Sequence, residues 1–368
     1  PKELEDPTSR TLQAVVSLGG CSASFVSAEG LVVTNHHCAI AALQTNSVPG
    51  KNLLKDGFAA KNRADEKSNG PTARIFVTDK VSDVTTKVRL DLDKQKDDRA
   101  RYKLVEARQK EIVADCEKGR PGTRCSVAPF YEGSMFYLVE QLEIRDVRLV
   151  LAPEAGVGNY GGEIDNWRWP RHTGDFTFFR AYVGKDGKPA DFSPDNVPYK
   201  PKSHLRFATT PLRESDLVMV AGYPGRTYSG KTKAEVEEAV GFGYPRRQKL
   251  CEDYLAALDV VSKADPAAAI VATPLVRRYG NALTNTKGQL EGLVKDGLLG
   301  LKAKREEELR AAGPKVAQPL DEIAKLVLES KKTREADAEL LSEFLSPKLL
   351  SAAHLIVKMA EERGKPDA

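Results

Sequence analysis

His36 and His37 stand directly before Cys38, at the end of the β-branched run Leu31-Val32-Val33-Thr34. An imidazole carried to a strand end can act as a general base, provided its position is held within roughly 0.5 Å. Cys21 precedes it on the neighbouring strand of the same expected hairpin, near enough for a cross-strand bridge that would fix the backbone. His37 adjoins Cys38 and is the better base of the two. Two other readings compete with it: a pair of structural histidines, or half a zinc site. No C-x-x-C or H-E-x-x-H supplies the further ligands a metal needs, so neither a metal nor a cofactor is expected.

A general-base histidine needs a group that fixes its tautomer and stabilises the imidazolium, usually a buried carboxylate. Gly174-Asp175-Phe176-Thr177-Phe178-Phe179-Arg180 supplies a candidate, because Asp175 opens an alternating strand. An acid facing a core from that position requires a partner. Alone, an Asp after Gly174 is more often an exposed turn residue; beside a His-Cys hairpin the balance reverses.

The elements that must position these residues read first as β and then as α. Strands are predicted over 14–18, 24–27 and 31–34, with turns at Gly19-Gly20 and Ala28-Glu29-Gly30. A charged stretch over 99–118, with Leu104, Ala107, Ile112 and Val113 on one face, predicts an inserted amphipathic helix. Strands are predicted again over 135–139, 143–150, 176–183 and 216–221. From about Gly230 the sequence turns rich in Ala, Leu, Glu and Lys with helical spacing, which places a boundary near Tyr228. The 368 residues suggest two to three domains. The net charge of +4 is a small difference between 56 basic and 52 acidic residues, and no basic stripe interleaved with aromatics argues for nucleic acid. No apolar run approaches the ~20 residues of a membrane span. Cys21 with Cys38 and Cys116 with Cys125 make two local pairs, and Cys251 is left over. That pattern fits an oxidising compartment, against the alternative of five reduced, buried cysteines.

Taken together, the residues resemble a known family. His37-Cys38 with Cys21, followed by Gly174-Asp175-Phe176-Thr177, resembles the first half of a chymotrypsin-like double-barrel protease. Gly222-Tyr223-Pro224-Gly225 looks like the strand-end turn of bacterial glutamyl endopeptidases. More narrowly, Thr34-Asn35-His36-His37-Cys38, the run from Asn159-Tyr160-Gly161-Gly162 through Asn166-Trp167-Arg168-Trp169-Pro170-Arg171-His172, and Gly222-Tyr223-Pro224-Gly225-Arg226-Thr227 resemble serine peptidase family 46, the dipeptidyl peptidases 7 and 11 and bacterial dipeptidyl aminopeptidases.

The resemblance implies a mainly β plus α fold, a chymotrypsin-like double β-barrel left incomplete in this chain, with an inserted α-helical cap domain. Residues 1–228 would be the N-terminal part of the peptidase domain and 229–368 the first part of the cap. It makes His37 the general base and Asp175 the residue that orients it. Asn166, Trp167, Arg171 and Asn281 would bind the substrate's free N-terminus. An Asn carbonyl can accept from an ammonium, and an indole can wall the pocket and offer its face to the cation. Plain core packing is the competing account of Trp167 and Trp169. Also implied are disulfides Cys21–Cys38 and Cys116–Cys125, a periplasmic or secreted location and a homodimer that acts on oligopeptides.

The family's serine sits in a Gly-Asn-Ser-Gly type loop, late in a chain about twice as long. Ser229 and Ser134 are the nearest imitations here and lack its glycine framing. Two expectations follow. In one, the chain is part of a dipeptidyl peptidase whose C-terminal segment carries the nucleophile, with Pro1-Lys2-Glu3 a trimmed start and Gly364-Lys365-Pro366-Asp367-Ala368 a cleavable tail. In the other, it is an inactive relative that binds peptides without cutting them. The first is preferred, because an unfinished second barrel would leave open sheet edges.

Overall fold

The computed structural model describes residues 2–48, 50–225, 228, 230–295, 297–344 and 347–363. Arg226 and Thr227 of the Gly-Tyr-Pro-Gly segment, Ser229 and the tail 364–368 lie outside the described residues. The chain divides into two compact units, residues 1–225 and 226–367.

In the first unit, β-branched and aromatic residues alternate inward and outward along short strands. These are β1 (Val15–Ser17), β2 (Ser22–Phe25), β3 (Leu31–Thr34), β4 (Phe58–Ala59), β5 (Lys67–Ser68) and β6 (Ile75–Asp83). After them come β7 (Thr123–Phe130), β8 (Met135–Ile144), β9 (Asp146–Ala152), β10 (Thr177–Val183) and β11 (Val197–Pro198). They form one antiparallel sheet in the order β4-β9-β10-β3-β2-β1-β6-β8-β7, with β11 beside β10 and β5 beside β9. Phe25 of β2 and Val32 of β3 join Leu43, Ile75, Ile144, Leu149 and Phe179 in the core.

The pairing of β3 with β10 decides which residues can meet. Thr34 faces Thr177 and Val33 faces Phe178, so the residues just after β3 lie beside those just before β10. The β2–β3 turn needs glycine. Gly30 has φ +70°, and a Cβ there would come within 2.8 Å of the Ala181 and Tyr199 carbonyl oxygens.

Several buried charges of this unit are paired. Glu66 accepts from Arg180 Nε at 2.9 Å and from the Tyr182 hydroxyl at 2.8 Å. Arg148 donates to both oxygens of Asp146, at 3.0 and 2.7 Å. Burial, and then the Glu66 contact, pushes the Tyr182 hydroxyl up to about 12.

Three expected elements differ. The run 143–150 bends at Arg145: β8 ends at Ile144 and β9 begins at Asp146. Asp146 is held there by Arg148 and by Asn196 Nδ2 at 2.9 Å, and two-residue alternation runs through such a bend without revealing it. The run 216–221 is not a strand. Leu217, Val218, Met219 and Val220 are exposed, Val220 at 100%, and among the described residues no strand pairs with them. An extended run becomes a strand only where another backbone meets its N–H and C=O groups.

The third is the helix expected over 99–118. It spans Asp98–Glu117, and the Asp97 carboxylate accepts from the Arg99 and Ala100 amides at its start. Its packed face carries Val105 and Ile112 against Val84, Val88 and Phe136, whereas Ala107 is exposed. The Cys116–Cys125 disulfide ties its last turn to β7.

The second unit is helical, with its longest elements at Tyr244–Ala264, Pro266–Lys295 and Pro314–Ser330. Local chemistry sets where they start. Thr232 and Glu235 form a reciprocal capping box before Lys233–Glu238, and Pro266 and Pro314 open their helices, where a missing N–H is tolerated. The Tyr254 and Tyr279 rings stack 4.7 Å apart between two of these helices, and the free Cys251 is buried. The structure is thus a mixed fold with a large antiparallel sheet and many helices.

Replacing Glu66 with Ala strips Arg180 Nε and the Tyr182 hydroxyl of their buried acceptor. Urea unfolding followed by circular dichroism should show about 3 kcal/mol of lost stability, as for other broken buried pairs.

Candidate active site

After Thr34 the chain enters a short 3-10 turn, His36–Ala39, with Asn35 still extended before it. The turn sends the two histidines apart. His36 is buried, against Gly158, where a Cβ would come within 2.5 Å of the imidazole ring. The structural reading therefore applies to His36. The His37 side chain is 59% exposed.

Asp175 stands just before β10, where the β3–β10 register requires it to be near this turn. Its carboxylate accepts three hydrogen bonds: from His37 Nδ1 at 3.0 Å, from the His37 amide at 3.1 Å and from Asn35 Nδ2 at 2.9 Å. This network assigns the proton of neutral His37 to Nδ1 and leaves Nε2 to accept another. The Asp175 hydrogen bond raises the imidazole above its usual 6.5; burial opposes that, and the charges of Asp175 and Glu163 add to it. Burial pushes the Asp175 carboxyl up, but the hydrogen bond and charge of His37, its amide and Asn35 together hold it below the ordinary carboxylate range.

The other expected residues fall around this pair. Cys38 is bonded to Cys21. Their sulfurs lie close to the His37 ring, but a sulfur committed to a disulfide is no thiolate ligand. Ser22, beside Cys21, accepts the Tyr223 amide on its hydroxyl at 2.7 Å, and the Tyr223 hydroxyl meets Thr78 Oγ1 at 2.7 Å. A Cβ on Gly222 would overlap that serine hydroxyl. The Gly-Tyr-Pro segment therefore clasps the start of β2 next to the bridge.

Asn166 and Trp167 lie on the helix Gly162–Trp167, and Asn166 Nδ2 donates to Glu163 at 3.3 Å. Because the Glu163 carboxylate also acts on His37, this helix stands near the His37–Asp175 pair. Arg171 is exposed on the segment that follows. Neither tryptophan is a core residue: Trp167 is 44% and Trp169 88% exposed. Asn281 is an exposed residue of the helix Pro266–Lys295 in the second unit.

Three contributors escape a reading of the sequence: Asn35, Glu163 and Asp165. Asn35 adjoins His36 and could have been found from its place at the strand end. Glu163 and Asp165 lie inside a run already singled out, but their partners are distant groups or backbone amides, which carry no residue-type signal. The Asp165 carboxyl is held below its usual range by the Thr173 hydroxyl, against burial, and by the His172 and Thr173 amides. What the site offers chemically is an oriented imidazole with an accepting Nε2 on an open face and a carboxylate behind it.

Comparison with known proteins bears on the family. The chain is 40% identical over 371 residues to the Asp/Glu-specific dipeptidyl-peptidase of Shewanella putrefaciens, covering 100% of this chain and 50% of that protein. It is 34% identical over 291 residues to dipeptidyl-peptidase 7 of Capnocytophaga gingivalis, covering 79% of this chain and 40% of that one. The crystal structure of Porphyromonas endodontalis DPP11 in complex with dipeptide Arg-Asp matches with a TM-score of 0.85 at 28% identity, covering 100% of this chain and 57% of that one. The chain thus spans about half the length of the curated relatives it matches. A family model described as Peptidase S46 matches residues 1–368, and with the relatives above it places the chain in peptidase family S46.

Proposed function

We propose that this chain is the His/Asp part of a serine dipeptidyl peptidase that removes N-terminal dipeptides from oligopeptides. The observation that carries the reading is the 3.0 Å contact between His37 Nδ1 and Asp175, with the opposite ring nitrogen on an exposed side chain. A serine from a C-terminal segment of the whole protein attacks the carbonyl of the second substrate residue. His37 Nε2 takes the hydroxyl proton and passes it to the departing amine, leaving the dipeptide as an ester on the serine. Water, deprotonated by the same nitrogen, then releases the dipeptide and restores the hydroxyl. Asp175 keeps the proton on Nδ1 and stabilises the imidazolium formed at each step.

Asn166, Trp167 and Arg171, with Asn281, bind the free N-terminus in this reading. In support, the helix carrying Asn166 and Trp167 stands within electrostatic reach of His37, and Trp167 is available at the surface. The sheet is read as chymotrypsin-like and the helical unit as its cap. The run 216–221, with which no strand among the described residues pairs, supports a further segment that completes a second barrel, since Leu217 to Val220 have exposed apolar side chains. The Cys21–Cys38 and Cys116–Cys125 bridges support a periplasmic or secreted setting.

Two measurements on the full-length enzyme test this. His37→Ala should lower kcat for a fluorogenic dipeptide amide by about 10⁴-fold, with little change in thermal stability; near-normal dipeptide release would refute the assignment. The second follows the imidazole by NMR across pH. His37 should titrate above 6.5, and Asp175→Asn should move its midpoint down. Because folding raises the His37 value, the stability it contributes is complete below 6.5 and fades as pH rises through the folded value. The Asp175 contribution runs oppositely, present above the unfolded carboxyl value and lost as pH falls through the depressed folded one. A midpoint unmoved in Asp175→Asn would mean the pair does not act as one unit.

A further inference from the structure

Asp165 is a buried carboxylate on a helix of 6 residues whose neighbours Ile164 and Trp167 are exposed. Among the described residues it forms no ion pair; its acceptors are directed at the segment that follows. The His172 amide lies 3.1 Å from one carboxylate oxygen and 2.9 Å from the other. The Thr173 amide donates at 2.8 Å, and the Thr173 hydroxyl sits between the carboxylate and the Tyr160 carbonyl, 2.6 Å from the latter. Hydrogen bonds to an ionised acceptor are about twice as strong as neutral ones, so this is a firm local tie. The tie is also crowded: Gly161 has φ +70°, and a Cβ there would meet the Asp165 side chain at 2.6 Å.

The consequence is a closed loop from 165 to 173. Asn166 and Trp167 leave it at one end and Arg171 enters it at the other, while residues 168–173 carry no helix or strand of their own. Remove the carboxylate, and those three side chains lose their common frame. Asp175, by contrast, keeps supports of its own. The Gly174 amide donates to the Val157 carbonyl at 3.0 Å, and the Asp175 carboxylate is held by Asn35 and His37.

We propose that Asp165 is the positioning residue of the substrate N-terminus subsite, holding Asn166, Trp167 and Arg171 in the geometry that captures a free ammonium. The proposal rests on the dipeptidyl peptidase reading above and adds to it a residue that touches no substrate. A purely structural role would disturb the fold, the His37–Asp175 pair and binding together. A positioning role disturbs binding alone.

The experiment uses full-length enzyme and the fluorogenic dipeptide amide that the wild type turns over best. Asp165→Asn, which keeps the shape but loses acceptor capacity and charge, should raise KM roughly tenfold. Its kcat should stay within about threefold, and the acid limb of kcat/KM, which reports His37, should not move. Thr173→Val removes only the hydroxyl and should shift KM the same way by a smaller factor; if Asp165→Asn does not fold, this variant carries the test. Unchanged KM in the folded variants would overturn the proposal. So would a joint fall in kcat and thermal stability with a displaced acid limb, which would make Asp165 a structural residue. A wild-type enzyme that releases no dipeptide would overturn the functional reading itself, and this inference with it.

Discussion

The Asp175 carboxylate takes three donors from one short stretch of chain, and the orientation of the His37 ring depends on that clasp. Its partners, the Asn35 side chain and the amide and ring of His37, all follow β3, whereas Asp175 itself leads into β10. The β3–β10 register brings the two ends together, and the carboxylate then fixes the ring. On the other side of His37 the backbone is held by the Cys38–Cys21 bridge, and Cys21 is followed by Ser22, which Tyr223 clasps. An imidazole held from both sides loses little further freedom on doing chemistry, which is the requirement for a base at a strand end.

The same unit shows what pairing without exposure looks like. Glu66, Arg180 and Tyr182 form a carboxylate–guanidinium–phenol cluster with distances as short as those at His37, and Arg148 with Asp146 forms another. These groups are mostly buried, so their charges are spent on one another and their removal costs fold stability. His37 differs in one respect. More than half of its side chain meets solvent, so the proton position its partner imposes is available to something outside the chain. Pairing alone is poor evidence of function; pairing at an open face is better.

Much of this was legible in the sequence, in a specific sense. His37, Cys38 and Asp175 could be singled out because each is chemically distinctive and each sits at the edge of a β-branched run, and edges are where a strand presents side chains. The contacts of Asn35, Glu163 and Asp165 were not legible, because they depend on which backbone or side chain folds back onto them. His36 shows the limit clearly: its difference from His37 lies in the direction of one 3-10 turn and in the missing Cβ of Gly158. The run 216–221 failed for a related reason. Its composition is that of a strand, but a strand is a relation between two backbones, and no strand among the described residues supplies the second. Ala107 was assigned to the packed face by spacing alone, and the neighbours of the helix Asp98–Glu117 select Val105 beside the expected Ile112.

The long run from Gly158 to Asp175 is better understood as one device than as a string of separate residues. At one end Gly158 makes room for His36, in the middle Asp165 closes the loop bearing Asn166, Trp167 and Arg171, and at the other end Asp175 orients His37. In the proposed function an exopeptidase must measure a fixed distance between a free ammonium and the bond it cuts. A ruler made of one short, internally braced segment varies less than one assembled from separate loops, because each brace removes backbone freedom that would otherwise blur the distance. The cost is low tolerance of substitution along the segment: glycine where a Cβ would collide, a carboxylate where backbone amides must be met, and an aromatic ring left at the surface against its hydrophobic preference.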